Sequence, residues 1–338
     1  MVDVKRKHHH APKVTAPPPP PPPATTDAAR PAGDNAKPAD VFATASVNNA
    51  PGAAPNAPPK IDISDDAKLK ELQNGSPDDK KLASEIVNAR KSYKPLLDAG
   101  AKITLTTSKG NGDKPVFTVV PKALQDNPHQ QFNVDVHYSG KFGTAASPDP
   151  NAHAAEKMAT QLNGPPPTVF VLPEPQNYNA NPVRSGDGAF SPVWDNAMNP
   201  RVTADDALKA AGLDSTGGAN KLTVSAHSAG GRAVANAINA GTLDCDRLEL
   251  QDCLYGDKAP KGAPGKPDPR GTSCATAVEK WAGSQDGAKC QQIDYIHTKQ
   301  GVNGEAGEFP DGKHLKGGQT VHRYEKPLHY DAAFFVTK

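Results

Sequence analysis

The sequence predicts an α/β fold, a mostly parallel β-sheet with helices on both faces, preceded by a disordered proline-rich arm. Short apolar runs typical of buried strands alternate with helical patterns over roughly 200 residues, as in parallel sheets covered by helices. Two β-type runs joined by a turn-rich segment place an antiparallel hairpin at the leading edge of this sheet. In contrast, residues 1–60 contain no Leu, Ile, Trp or Tyr.

The arm, residues 1–60, includes seven consecutive prolines at 17–23. Such a segment cannot bury enough apolar surface to offset the entropy of ordering it, so we expect disorder, with polyproline II around the prolines. A strip of this kind can dock a protein partner. The basic residues 5–7 and the histidines 8–10 are interpreted as a solvated tail rather than a nucleic-acid or metal site.

Charge and hydropathy exclude several classes of function. The 338 residues carry a formal net charge of +1, which gives no drive toward nucleic acid or acidic membranes. No apolar stretch of about 18 residues predicts a transmembrane helix, and no signal peptide is recognisable. The absence of a signal peptide favours the cytoplasm, but secretion or delivery as an effector stays open.

The four cysteines fall between Cys245 and Cys290, a window of 46 residues that also holds Cys253 and Cys274. No C-x-x-C pair is present, so the spacing does not match a zinc site. Two disulfides with three connectivities, or four reduced thiols, are both compatible with this spacing, and the compartment stays open.

Residues 61–100 are predicted to form a helical lead-in to the main domain, residues 101–338. Ser76 is placed as a helix cap ahead of a proline and two acids, and Gly100 as the stop. The hairpin comprises residues 103–107 and 116–120. Further strands are predicted at 132–137, 168–172, 222–225, 248–252, 292–297 and 321–324. Helices are predicted at 152–162, from a Thr203 cap to Gly212, and at 229–240.

The sequence predicts a reactive residue at the turn where the strand before Ser228 meets the helix after it. Ala226-His227-Ser228-Ala229-Gly230 is a small-x-Ser-x-Gly motif. A sharp strand-to-helix turn strains the backbone of the serine and requires small neighbours. We expect the hydroxyl of Ser228 to be exposed at the carboxyl end of the sheet as a nucleophile. The alternative is an ordinary turn in which the serine caps a helix.

The segment Ala226-His227-Ser228-Ala229-Gly230-Gly231 resembles the nucleophile elbow of α/β-hydrolases, above all esterases and lipases with the pattern G-H-S-x-G-G. Ala226 departs from it in place of the first glycine. The resemblance extends through the order of strands over about residues 100–338 and implies an α/β-hydrolase-type sheet. It is specific for the superfamily and says little about the substrate.

The resemblance implies an oxyanion hole and a general base. The loop after the strand at 132–137 is similar to the family's H-G loop, so the N–H groups of Ala229 and of Ser139 or Gly140 are the expected donors. A histidine should follow the last strand, and His329 occupies that place. His322 and His314 are interpreted as structural or solvated.

The resemblance also implies an acid between the serine and the histidine in chain order. Asp252 is favoured, because it closes a strand at the sheet end where Ser228 emerges, and Asp257 is the alternative. In most members of the family the acid follows the next strand, where Glu305, Glu308 and Asp311 lie.

Together these residues predict a carboxylesterase-like hydrolase that acts through an acyl-enzyme on a small ester, with an amide as the alternative. No cofactor or metal is expected, because no Walker motif, H-E-x-x-H or dinucleotide loop is present. Two alternatives remain at this point. One is a hydrolase-like binding or effector protein whose arm recruits partners, and the other is an acyltransferase that uses the same triad.

Overall fold

The structure is a computed structural model of the chain. It describes residues 60–140, 153–176, 193–194, 198–213, 219–253, 274–298 and 312–326. All of these belong to one structural unit, Asp40–Lys338. The predicted arm therefore lies outside the described residues, apart from residue 60.

The chain enters through a two-residue strand and three helices. Strand β1 spans Ile61–Asp62, and helices α1, α2 and α3 span Asp66–Gln73, Pro77–Ser92 and Lys94–Asp98. Ser76 caps α2 as predicted, in a reciprocal capping box with Asp79. The sequence predicted one helix running to Gly100, but α2 ends at Ser92. Pro95 lacks an N–H and starts a separate short helix instead.

The leading hairpin is confirmed. Strands β2 and β3 span Lys102–Ser108 and Lys114–Val120 and pair antiparallel. Short helix α4, Lys122–Asp126, leads to β4, Phe132–Tyr138. Helix α5, His153–Gln161, then leads to β5, Thr168–Pro173, which pairs antiparallel with β3 and parallel with β4.

The second half of the described chain adds four parallel strands. They are β6 at Ala219–His227, β7 at Arg247–Gln251, β8 at Gln292–Thr298 and β9 at Val321–Lys326. Helices α6, α7 and α8 span Pro200–Ala211, Gly231–Asn239 and Cys274–Ala282. The nine described strands form one sheet in the order β1-β2-β3-β5-β4-β6-β7-β8-β9. The predicted fold class, a mostly parallel sheet with helices and a hairpin edge, is confirmed.

One cap was placed wrongly. Thr203 was expected to cap the helix that ends near Gly212, but Asn199 does so by accepting from the N–H of Val202 at 3.1 Å. Pro200 occupies the first turn, so α6 begins four residues earlier than predicted. The end was placed correctly, since Gly212 adopts a left-handed φ of 78°.

Two apolar cores cover the sheet, one on each face. On one face α1, α2, α3 and α5 pack against the β1–β3 and β5 end, with Phe117, Phe170 and Leu172 fully or almost fully buried. On the other face α6, α7 and α8 pack across β4, β6, β7 and β8 around residues such as Val224 and Leu250. This double coverage is what near-continuous apolar strands require. Among the described residues no helix is long and apolar enough to cross a membrane.

Candidate active site

The turn after β6 has the backbone that the motif predicts. His227 ends the strand in an extended conformation with φ −112° and ψ 135°. Ser228 then adopts φ +51°, a left-handed value that few non-glycine residues take. A three-ten turn over Ser228–Gly230 follows, and α7 begins at Gly231. The serine therefore lies on a strained strand-to-helix turn rather than at an ordinary helix cap.

The glycines of the motif are required by close packing against neighbouring strands. A Cβ on Gly230 would lie 1.9 Å from the carbonyl oxygen of Tyr138, at the end of β4. A Cβ on Gly231 would lie 2.3 Å from the carbonyl oxygen of Cys253, just after β7. The turn is thus held between the ends of the strands on either side of β6, and no larger side chain fits at either glycine.

The loop after β4 packs directly on Ser228. A Cβ on Gly140 would lie 2.7 Å from Cβ of Ser228 and 3.3 Å from its Oγ. Ser139 beside it is 3% exposed. Ala229 is the second residue of the three-ten turn, and the first N–H groups of a helical turn have no partner within it. The structure therefore brings Ser139, Gly140 and Ala229 together around the Ser228 hydroxyl.

Ser228 was expected to present its hydroxyl at the carboxyl end of the sheet. The residue as a whole is only 9% exposed, and the Ser139–Gly140 loop lies against it. A reacting serine in a nearly dry site gains from this, since hydrogen bonds and charges act more strongly where water is excluded.

Asp252 lies beside the serine turn. Strand β7 ends at Gln251, which is the register partner of His227, so Asp252 and Ser228 follow paired residues on adjacent parallel strands. Asp252 also has a left-handed φ, 45°, and is 3% exposed. Its N–H donates to the carbonyl oxygen of Ile296 on β8 at 2.6 Å. The backbone of Asp252 is therefore fixed at the sheet edge from which Ser228 emerges.

The other predicted triad residues fall outside the described part of the chain. These are His329, Asp257 and the later acids Glu305, Glu308 and Asp311. His322 and His314 were interpreted as structural or solvated. His322 lies exposed on β9, opposite Asp294 of β8. His314 forms a bridge with Thr320, whose Oγ1 is 3.2 Å from its Nδ1. Within the described ranges no group of three His, Cys, Asp or Glu side chains could hold a metal ion.

A buried polar row beneath the site was not predicted from the sequence. Ser225 Oγ donates to Oδ1 of Asp135 at 2.7 Å and lies 2.8 Å from Nδ1 of His137. Since the serine proton goes to the carboxylate, we assign the Nδ1–H tautomer to His137. The signal was present, because polar Asn133, Asp135 and His137 alternate with Val134 and Val136 along β4.

The polar row continues across the sheet. Arg247 places Nη2 3.0 Å from Oε1 of Glu249 and donates from Nε to Oδ2 of Asp294 at 2.7 Å. Burial raises the pKa of Asp135 to about 8, with the negative charge of Glu249 adding to the shift. Burial also lowers the pKa of His137 well below its ordinary value, with the neighbouring His227 adding to it. His137 is therefore neutral at pH 7 and Asp135 is largely protonated.

Comparison with known proteins gives matches to solved structures only. No family model and no curated protein matches the chain. An S-formylglutathione hydrolase from Agrobacterium tumefaciens is 12% identical with a TM-score of 0.39, covering 69% of this chain and 91% of that one. XC6422 from Xanthomonas campestris, described as an α/β serine hydrolase without lid, is 11% identical with a TM-score of 0.33, covering 68% and 86%.

Carboxyl esterase 2 from the mycorrhizal fungus Tuber melanosporum is 12% identical with a TM-score of 0.36, covering 69% of this chain and 78% of that one.

Proposed function

We propose that this chain is a serine hydrolase that cleaves a carboxylic ester, with an amide as the alternative substrate class, through an acyl-enzyme on Ser228. One observation supports this most. Ser228 has φ +51° on a strand-to-helix turn, and Gly140 packs within van der Waals distance of its side chain. A serine that only caps a helix needs neither the strain nor a second loop against its hydroxyl.

In the proposed reaction Oγ of Ser228 attacks the ester carbonyl carbon. The oxyanion that forms accepts hydrogen bonds from the N–H of Ala229 and from that of Ser139 or Gly140, each worth about 3–4 kcal/mol in comparable sites. His329 takes the serine proton and returns it to the leaving alcohol. Water then attacks the acyl-enzyme and releases the acid, with His329 again as base.

We assign the triad acid to Asp252, with Asp257 as the alternative. Asp252 is supported by its position next to the serine turn and by its fixed backbone. A carboxylate in this role keeps the imidazole of His329 in the productive tautomer and stabilises the imidazolium that forms. The proposed domain division is an arm at 1–60, a helical lead-in at 61–100 and the catalytic domain at 101–338.

A fluorophosphonate probe tests the proposal, because it forms a covalent bond only with an activated serine. Purified protein is labelled beside Ser228→Ala, His329→Ala and the control Ser64→Ala, which alters an exposed serine in the β1–α1 turn. Folding of each variant is checked by circular dichroism. Peptide mapping is expected to find the probe on Ser228, with labelling lost in Ser228→Ala, strongly reduced in His329→Ala and unchanged in the control.

Absence of labelling in well-folded protein would overturn the proposal and favour a binding platform with this fold. If labelling succeeds, hydrolysis of a series of p-nitrophenyl esters of increasing acyl length measures which acyl chains the site accepts. Adding a primary alcohol to the same assay separates hydrolysis from acyl transfer, because a transferase yields the new ester in place of the free acid.

A further inference from the structure

Two of the four cysteines face each other at the amino ends of β7 and β8. These strands are parallel neighbours, and the N–H of Gln291 donates to the carbonyl oxygen of Asp246 at 2.8 Å just before both begin. Cys245 and Cys290 each come one residue earlier. Residues opposite each other in a parallel pair point to the same face, so the ladder directs the two thiols together.

The thiols are in contact and buried. The Cys245 thiol donates a hydrogen bond to Sγ of Cys290, and Cys290 donates in turn to the carbonyl oxygen of Gln292 at 3.2 Å. Each cysteine is 3% exposed and belongs to the core covered by α6, α7 and α8. Both thiols are reduced in the structure. Reduced cysteines can pack as small apolar side chains, so burial alone does not decide their chemistry.

We infer that Cys245 and Cys290 form a disulfide when the chain meets a disulfide oxidant such as oxidised glutathione. Neighbouring strands lie about 4.7–4.9 Å apart, within the roughly 4.4–6.8 Å that a disulfide spans between Cα atoms. The bond needs no rearrangement of the sheet, because the backbone ladder already holds both residues in register. Of the three connectivities that the spacing allowed, this one pairs Cys245 with Cys290 and leaves Cys253 and Cys274 for each other or free.

The two thiols react in turn. The thiolate of one cysteine attacks one sulfur of the oxidant, and one glutathione thiolate leaves. The other cysteine then gives up its proton and attacks the protein sulfur of this mixed disulfide, releasing the second glutathione. Two protein thiols are oxidised and one glutathione disulfide is reduced to two thiols.

The disulfide closes a loop of 46 residues from Cys245 to Cys290. The loop contains α8 and the proposed triad acid Asp252. Closing it restricts the unfolded chain more than the folded one. The thermal unfolding midpoint should therefore rise by about 5–10 °C on oxidation. The inference rests on the sheet register alone and is independent of the proposed hydrolase activity.

A disulfide map tests the inference on the full chain. Trypsin places the four cysteines on four different peptides, residues 233–247, 248–258, 271–280 and 290–299, so every connectivity gives a distinct linked mass. The protein is unfolded under reducing conditions and refolded in excess oxidised glutathione. It is then alkylated with N-ethylmaleimide and digested without reduction. Refolding gives the buried thiols access to the oxidant before the sheet closes over them.

The expected result is a linked pair of peptides 233–247 and 290–299 in protein with native circular dichroism. Alkylation of both Cys245 and Cys290 in the refolded protein, or linkage of either to Cys253 or Cys274, would overturn the inference. The thermal unfolding midpoints of cysteine variants provide the control. Oxidation should raise the midpoint of Cys274→Ala, in which Cys253 has no second partner, and leave the midpoints of the double variants Cys245→Ala/Cys274→Ala and Cys290→Ala/Cys274→Ala unchanged. The map uses wild type only, so it decides the question even where a variant does not fold.

Discussion

Replacing Asp135 by asparagine should stabilise the protein at neutral pH. Asp135 is 6% exposed on β4, and its Oδ1 accepts from Ser225 Oγ at 2.7 Å. Burial, reinforced by Glu249, raises its pKa to about 8 from an ordinary 3.8. The protonated acid already presents one donor and one acceptor. The amide of asparagine also presents a carbonyl acceptor, together with two N–H donors, so Asp135→Asn keeps the hydrogen bond from Ser225 while removing the titration.

The direction in which stability changes with pH follows from proton binding. Between about pH 4 and 8 the folded protein holds a proton that the unfolded chain has lost, so stability falls as pH rises through this window. At pH 7, roughly three pH units above the ordinary carboxyl value, the accumulated cost is up to about 4 kcal/mol. The free energy of unfolding of Asp135→Asn should exceed that of wild type by most of this amount at pH 7. Below pH 4 the two should be equal, because Asp135 of the wild type is then protonated in both the folded and the unfolded protein.

Urea unfolding followed by circular dichroism at half-unit steps from pH 4 to 8 measures this difference. Asp126→Asn is the control, because Asp126 is 65% exposed at the end of α4 and paired only with Lys122 across one helical turn. Its free energy of unfolding should stay within about 0.5 kcal/mol of wild type throughout. An Asp135→Asn protein with wild-type m-values that is less stable than wild type at pH 7–8 would refute this reasoning.

Two predictions concern the proposed reaction. Gly140→Ala places a methyl 2.7 Å from Cβ of Ser228, so kcat for ester hydrolysis should fall by roughly 10²–10³, as when one oxyanion donor is displaced. Gly164→Ala is the control, since its nearest neighbours are 3.6 Å away. Equal kcat in the two variants would contradict the oxyanion role of the loop. If Asp252 is the triad acid, Asp252→Asn should lower kcat by roughly 10³–10⁴ while Asp257→Asn leaves it near wild type. The opposite pattern would move the assignment to Asp257.

Local signals predicted most of the elements. Ser76, followed by a proline and two acids, predicted a helix start that the capping box bears out. The alternation of strands and helices predicted the fold class, because the periods of about 2.0 and 3.6 residues depend only on neighbouring positions. The errors were also local in cause. Asn199, followed by Pro200, is an equally good helix cap four residues before Thr203, and only the observed bond to Val202 distinguishes the two.

The motif at Ser228 was recognisable because a strand-to-helix turn restricts residue size within a few positions. The surroundings of this motif were not recognisable from the sequence. The contact of Gly140 with Ser228 joins residues 88 positions apart, and it contributes to the burial of Ser228. The polar row from Asp135 to Asp294 was missed for a related reason. Alternation along one strand shows that its two faces differ, but it does not show which side chains on other strands meet them.

The sequence by itself determined the α/β class, most helix and strand positions, and the strained serine turn, because each depends on steric preferences within a few residues. The tertiary structure decided the strand order with β5 inserted between β3 and β4, the contact of the Gly140 loop with Ser228, and the position of Cys245 beside Cys290 at the amino ends of β7 and β8. These depend on which distant segments exclude water from one another. The arrangement depends on the apolar surface buried by the whole sheet, so no short segment of the sequence predicts it.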